Sequence, residues 1–147
     1  MNQRTRPADL LIPLLVVGVL AYLLLQVGYE SLPPFQWFVA LPIGALAVVE
    51  FIMANRIRGA IRHQDSAKPI PALSVARAVA LGKASALVGS ALVGAAGALA
   101  LYVLPDARRT SAAGHDLRVG IVVLVVSAVL VVAGTILERA GVDPRHR

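Results

Sequence analysis

The sequence lacks cysteine and is poor in charged and aromatic residues. None of its 147 residues is a cysteine, which excludes disulfides, thiolate metal ligands and a cysteine nucleophile. Charged residues make up only 15% of the chain and hydrophobic residues 58%, whereas charged residues make up about 25% of ordinary soluble domains. The mean hydropathy of +0.77 therefore indicates a protein that lipid solvates.

Residue patterns typical of catalytic sites and metal sites are also missing. His63, His115 and His146 lie in separate polar segments without an i,i+4 partner, so we expect no metal site. No zinc-protease, nucleophile-elbow or nucleotide-binding motif occurs. Ser85 and Ser90 have no base nearby in the sequence, and their hydroxyls are expected to bond to backbone carbonyls. We expect no catalytic residue and no cofactor, and a lipid-modifying enzyme is the least supported class.

What the sequence has in abundance is apolar runs. Four of them have close to the ~20 residues that cross a bilayer, at about 10–28, 35–54, 74–104 and 117–137. The polar breaks are too short for a second domain, so residues 1–147 are expected to form a single membrane domain. The predicted fold is all-α, with four transmembrane helices in an antiparallel up-down bundle. The tight turn after the first run predicts that the first two helices are neighbours.

The first run has an alternative interpretation as a cleaved signal peptide, because Arg4 and Arg6 precede its apolar core. The run is long for such a peptide, and residues 27–30 do not have the small-x-small pattern of a cleavage site. An uncleaved first helix is therefore favoured.

The basic residues cluster at the ends of the apolar runs. With the N-terminus inside, eleven of the 14 lysines and arginines lie on the inner side and three on the outer side. This bias predicts that both termini are cytoplasmic. Membrane orientation thus explains the net charge of +6, and nucleic acid is not an expected partner. An aromatic belt is predicted at the outer interface, formed by Tyr29, Phe35, Trp37, Phe38 and Tyr102.

The segment 55–73 is predicted to be a basic cytoplasmic loop. Ile57 and Ile61 can share one face of a short helix at the membrane surface. Anionic lipid headgroups are possible ligands, worth about 1 kcal/mol for each basic residue near the surface, although orientation is the first use of these charges. The basic residues of this interface are Arg56, Arg58, Arg62, Lys68 and Arg77.

A stripe of small residues runs along the third helix at every fourth position. Small side chains let helix backbones approach closely, which drives helix association in lipid. The stripe serves either to pack the four helices of one chain, which we favour, or to form a homo-oligomeric interface. Its members are Ala78, Gly82, Ala86, Ser90, Gly94 and Ala98.

Two ionisable residues, Glu50 and Lys83, lie within or at the edge of apolar runs. Charges in a membrane usually face the bundle interior and often pair. One hypothesis is an intramembrane ion pair between the two, or a proton-carrying Glu50. The favoured alternative is that Lys83 snorkels to the interface while Glu50 meets Arg56 or water. A true pair would more readily set helix register than perform chemistry.

Three segments of the sequence resemble one known family. They are Ser31-Leu32-Pro33-Pro34 before an aromatic cluster, the stretch from Arg77 to Leu87 with Lys83 and Ser85, and Leu101-Tyr102-Val-Leu-Pro105. Together they are similar to the small actinobacterial membrane proteins catalogued as domain of unknown function 3180. The resemblance implies four transmembrane helices in the plasma membrane. Genes of that family often lie beside folate-biosynthesis genes, and the family has no established activity.

These observations lead to two hypotheses of function. The first is a non-enzymatic accessory or interaction subunit in the membrane, because helix-packing features are abundant and catalytic features are missing. Its partners would be the lipid bilayer and either a second copy or another membrane protein. The alternative is a small dimeric proton-coupled transporter with Glu50 as the coupling carboxylate, since such exporters need an acid within the membrane.

Overall fold

The computed structural model describes residues 5–33, 36–62 and 71–141. It contains four long helices, α1 (Pro7–Gly28), α2 (Ala40–Arg62), α3 (Ala72–Val103) and α4 (Ser111–Ala140). Single 3₁₀ turns at Tyr29–Ser31 and Trp37–Val39 flank the connection from α1 to α2. No strand occurs in these ranges. Each of the four helices is long and apolar enough to cross a membrane, which confirms the predicted all-α fold.

The helices lie in the order α1–α3–α4–α2, with α3 and α4 at the centre. Gly18 of α1 lies beside Gly94, and Tyr22 stacks edge-on against Tyr102, so α1 and α3 run parallel. α4 runs antiparallel to α3, and α2 runs parallel to α4, because Gly44 meets Val126 and Ala54 clusters with residues near the end of α4. Successive helices therefore alternate in direction.

The expectation that the first two helices are neighbours is wrong for the described part of the chain. α1 packs against α3, and α2 packs against α4, but α1 and α2 do not pack against each other. A short connection brings helix ends together, whereas close packing along the length needs small residues. Gly94 supplies such a site for α1, where an added Cβ would meet the Leu14 carbonyl oxygen.

The helix termini differ from those predicted. α3 begins at Ala72, with Pro71 at its N-cap, rather than after Ser74. α4 begins at Ser111 rather than Leu117, because the Thr110 hydroxyl accepts a hydrogen bond from the backbone N–H three residues later at 3.4 Å. The predicted polar loop before the fourth run therefore contributes more than a turn of helix.

The predicted basic loop 55–73 is also corrected, because α2 continues unbroken to Arg62. Ile57 belongs to α2 and does not lie on a separate short helix as expected. It is 6% exposed and packs in a buried cluster with Ala54, Ala78 and Leu137. An apolar face that repeats with helical period extends the helix beyond its hydrophobic core. Arg56 and Arg58 are exposed on the other side of this extension, Arg77 is exposed on α3, and Lys68 lies outside the described residues.

The central pair α3 and α4 touches along residues spaced by seven. A Cβ at Gly89 would lie 3.2 Å from the Ser127 carbonyl oxygen, and one at Gly120 would lie 3.7 Å from that of Ala96. A seven-residue interval keeps one face toward an antiparallel partner with a slight left-handed twist. The positions are Val75, Gly82, Gly89, Ala96 and Val103 on α3, opposite Gly141, Gly134, Ser127, Gly120 and Ala113 on α4. We call this contact the α3–α4 seam.

Candidate functional site

All six residues of the predicted stripe on α3 are buried, but two different helices cover them. Gly82 lies against Gly134 of α4, whereas Gly94 lies against Leu14 and Gly18 of α1. A step of four residues overshoots one helical turn of about 3.6 residues by roughly 40°. Over five steps the stripe therefore rotates by roughly 200° around α3. Because this chain covers the stripe, it offers no open face for a second copy.

Two serines of α3, Ser85 and Ser90, are buried. The Ser90 hydroxyl donates to the Leu87 carbonyl at 2.7 Å, as expected for an isolated serine within an apolar helix. Ser85 is 5% exposed and faces a different environment, because it lies beside a carboxyl group of α2.

Glu50 of α2 is the buried carboxyl beside Ser85. The structure forms no ion pair between Glu50 and Lys83, because Lys83 is exposed and the Glu50 side chain is 0% exposed. Arg56 is exposed as well. Neither oxygen of the Glu50 carboxyl has a hydrogen-bond partner among the described residues. Ser85 is close enough to interact with the carboxyl, yet it lies outside hydrogen-bond geometry with either oxygen.

The surroundings of Glu50 are apolar. Along α2, Ala47 and Ala54 flank it on the same face at 2% and 0% exposure. Ala47 packs with Leu130 and Ala133 of α4, and Ala54 packs in the next cluster toward the helix end. The carboxyl therefore lies between two apolar clusters, at the junction of α2, α3 and α4. We call Glu50 and Ser85 the core carboxyl site.

A second polar contact joins the 3₁₀ turn that follows α1 to α4. The Tyr29 hydroxyl donates to Oδ2 of Asp116 at 2.6 Å, and Asp116 is 6% exposed. Tyr102 packs against Tyr29 with ring centroids 5.2 Å apart. Trp37 and Phe38 are exposed, as an aromatic belt requires. The last member of the predicted belt, Phe35, lies outside the described residues.

The sequence analysis missed Asp116, because it placed this residue in the polar break before the fourth run. A usable indication was present: Thr110 is a good N-cap residue, and Ala113, Asp116 and Gly120 recur at the three- and four-residue spacing of one helix face. All three of those residues are buried.

A third contact, also missed, ties the start of the chain to the end of α4. The backbone N–H of Thr5 donates to Oε1 of Glu138 at 2.7 Å, and Glu138 is 5% exposed. The fourth run was predicted to end at about residue 137, just before this carboxylate, whereas α4 continues past it to Ala140. The contact places the beginning of α1 and the end of α4 at the same end of the bundle.

Two apolar cavities border α1. One of about 470 Å³ lies between α1 and α3, and its lining includes Val19, Leu23 and Gly97. The other, about 330 Å³, lies between α1, α3, α4 and the turn at 37–39, and its lining includes Gln36. α1 itself has one buried residue, Leu25. The flank of the bundle at α1 is therefore loosely packed.

The chemical capacity of these sites is narrow. No group of three or more histidine, aspartate or glutamate side chains that would suit a metal ion occurs within residues 5–33, 36–62 and 71–141. Ser127 is 0% exposed and its hydroxyl has no hydrogen-bond partner in those ranges, but it has no neighbouring base. The core carboxyl site is able to hold and release a proton. Its Glu50 carboxyl is the one ionisable group among the described residues that is fully buried and has no hydrogen-bond partner.

Comparison with known proteins agrees with the resemblance noted in the sequence. The model of a family described as a protein of unknown function, domain of unknown function 3180, matches residues 10–144. This match covers all four helices. No curated protein and no solved structure matches the chain.

Proposed function

The chain belongs to the family of unknown function 3180, and we propose that it is a non-enzymatic accessory subunit that packs a partner membrane protein against its α1 flank. The observation that carries this proposal is the loose packing around α1, which buries only Leu25 and borders two apolar cavities. Both cavities open to the surface of the bundle, where another helix can reach them. Side chains of a partner helix would fill these cavities.

The rest of the molecule supports an interaction role in place of catalysis. The small residues that favour helix association on α3 are already covered by α1 and α4, so a partner has to use another surface. We propose that this surface is α1 and that no reaction is catalysed. We also propose that the protein resides in the plasma membrane with both termini in the cytoplasm, on the basis of its basic residues.

Site-specific photo-cross-linking in native membranes tests the accessory role. A photoreactive residue at Leu23, which is 53% exposed and lines the larger cavity, should give one discrete protein adduct. The matched control is Val125 on α4, which is also 53% exposed and should give lipid adducts alone. If Leu23 also yields lipid adducts alone and the protein stays monomeric, the accessory proposal is wrong.

A second candidate function is proton-coupled transport by a dimer of this chain. The observation in its favour is Glu50, which is fully buried and without a partner in the described residues. Proton relays in transporters use membrane-embedded carboxyls of this kind. Proton flux into vesicles that contain the wild-type protein, abolished by Glu50→Gln, would support transport. Equal flux for both proteins would remove Glu50 from any such mechanism.

A further inference from the structure

We propose that Glu50 and Ser85 form a proton-binding site inside the membrane-spanning core, occupied by a proton at neutral pH. The site does not depend on the accessory role proposed above. Transport by Glu50 requires this site, whereas the site exists whether or not the protein transports anything.

The first argument is the cost of an uncompensated charge. The Glu50 side chain has no exposed surface, and an isolated carboxylate buried in an apolar region is less favourable than the neutral acid. A neighbouring cation would remove this cost. The cationic side chains closest along the helices, Lys83 and Arg56, are instead exposed.

The second argument is that the other packed elements supply no charge. On α4, Glu138 is occupied by the Thr5 backbone N–H, and the cluster beside Glu50 consists of Leu130 and Ala133. On α3, the group that meets the carboxyl is the uncharged Ser85. The neutral acid is therefore the form that these surroundings favour.

The third argument identifies the ligand as a proton instead of a metal cation. Hard metal ions in proteins take about six to eight oxygen ligands, and the described residues gather no such set of side chains here. The backbone carbonyls nearby are engaged in helix hydrogen bonds. A protonated carboxyl needs only one acceptor for its O–H, and the hydroxyl oxygen of the neighbouring Ser85 can supply it.

The position of the site links the proton to helix packing. α2 packs mainly against α4 and touches α3 only slightly. Glu50 reaches Ser85 across this slight contact. Because the carboxyl has no exposed surface, a proton enters or leaves only when α2 and α3 separate or water enters between them. An O–H donated from Glu50 to Ser85 adds a bond between α2 and α3, while α2 remains packed against α4.

Infrared spectroscopy of the purified protein in lipid nanodiscs tests whether the proton is present. At neutral pH we expect the C=O stretch of a protonated carboxylic acid, lost in Glu50→Gln and retained in the matched control Glu138→Gln. Ser85→Ala should shift this band toward the frequency of a free acid. A wild-type spectrum without the band at neutral pH, or a band that persists unchanged in Glu50→Gln, overturns the proposal.

A chemical probe tests the same site without any variant. Dicyclohexylcarbodiimide reacts with a protonated carboxyl in an apolar environment: the acid O–H adds across one C=N bond, and the acyl group then migrates to nitrogen. The whole reagent is retained, so mass mapping should find one added carbodiimide at Glu50, with slower labelling at alkaline pH. Equal labelling by a water-soluble carbodiimide, or protection by sodium at constant pH, contradicts a buried proton site. If Glu50 is labelled and the infrared band is present but no proton flux occurs, the proton-binding site stands and only the transport function is excluded.

Discussion

The α3–α4 seam predicts that a single methyl group is costly where its two backbones approach most closely, at Gly82 and Gly134. A Cβ added to Gly82 would lie 2.6 Å from the Gly134 carbonyl oxygen, and one added to Gly134 would lie 2.5 Å from that of Gly82. The closest ordinary C–H···O contacts have about 3.3 Å between carbon and oxygen, so either substitution by alanine must move the helices apart by roughly 0.7 Å. The obstacle in each case is backbone, which no rotamer change relieves.

The magnitude follows from what the separation costs. A gap of roughly 0.5–1 Å removes a quarter to a half of the dispersion energy of each facing pair of atoms. Overpacked cores lose about 1–3 kcal/mol, and the better helix propensity of alanine returns up to about 1 kcal/mol. We therefore expect Gly82→Ala and Gly134→Ala each to lower the free energy of unfolding by about 1–2 kcal/mol.

The double variant gives a sharper test, because one separation of the helices makes room for both methyl groups. The double variant should lose less free energy of unfolding than the sum of the losses of the two single variants. Unfolding by SDS in mixed micelles, followed by far-UV circular dichroism and by the fluorescence of Trp37, the one tryptophan, measures all three variants. Gly59→Ala is the control, because an added Cβ there meets no atom within 4 Å. Seam variants as stable as this control, or single losses that add fully, would refute the reasoning.

Two further predictions concern the aromatic end and the orientation. Tyr29→Phe removes the donor to the buried carboxyl group of Asp116 and should lower the free energy of unfolding by about 1–3 kcal/mol in the same assay. The control Tyr22→Phe keeps its ring contact and should change the free energy of unfolding little. Equal losses for the two variants would show that the hydrogen bond is unimportant. Because the chain has no cysteine, single introduced cysteines map its orientation directly. Arg108→Cys should react with an impermeant maleimide on intact cells, whereas Arg58→Cys should react only after permeabilisation. The reverse pattern would contradict cytoplasmic termini.

The small residues of α3 show how far the sequence carries a prediction of packing. The four-residue stripe was visible from the sequence, and the structure buries all of it. The seven-residue seam was equally present in the sequence of α4, at Gly120, Ser127 and Gly134, but it went unnoticed because valines surround it. A repeat of seven follows a partner along its whole length, whereas a repeat of four rotates away from it. The period therefore identifies which helix covers which part of α3.

Glu50 illustrates the opposite case. The sequence showed an ionisable residue inside an apolar run, and it favoured a shallow position within reach of Arg56 or water. The structure continues α2 to Arg62 and turns the Glu50 face inward, between Ala47 and Ala54. Position along a helix is a local property, but the direction in which a side chain faces depends on the neighbouring helix.

The sequence by itself predicted four apolar helices long enough to cross a membrane and their alternating direction, because these properties depend on the length of each apolar run and on the polar breaks between runs. The tertiary structure decided that α1 lies beside α3 instead of α2, that α2 and α4 extend past their apolar cores, and that a carboxyl at the centre has no partner among the described residues. Hydropathy is summed along one segment. Which helices pack together depends on how closely their backbones can approach. That distance is a property of two packed helices, here of the glycines of one helix against the backbone of another.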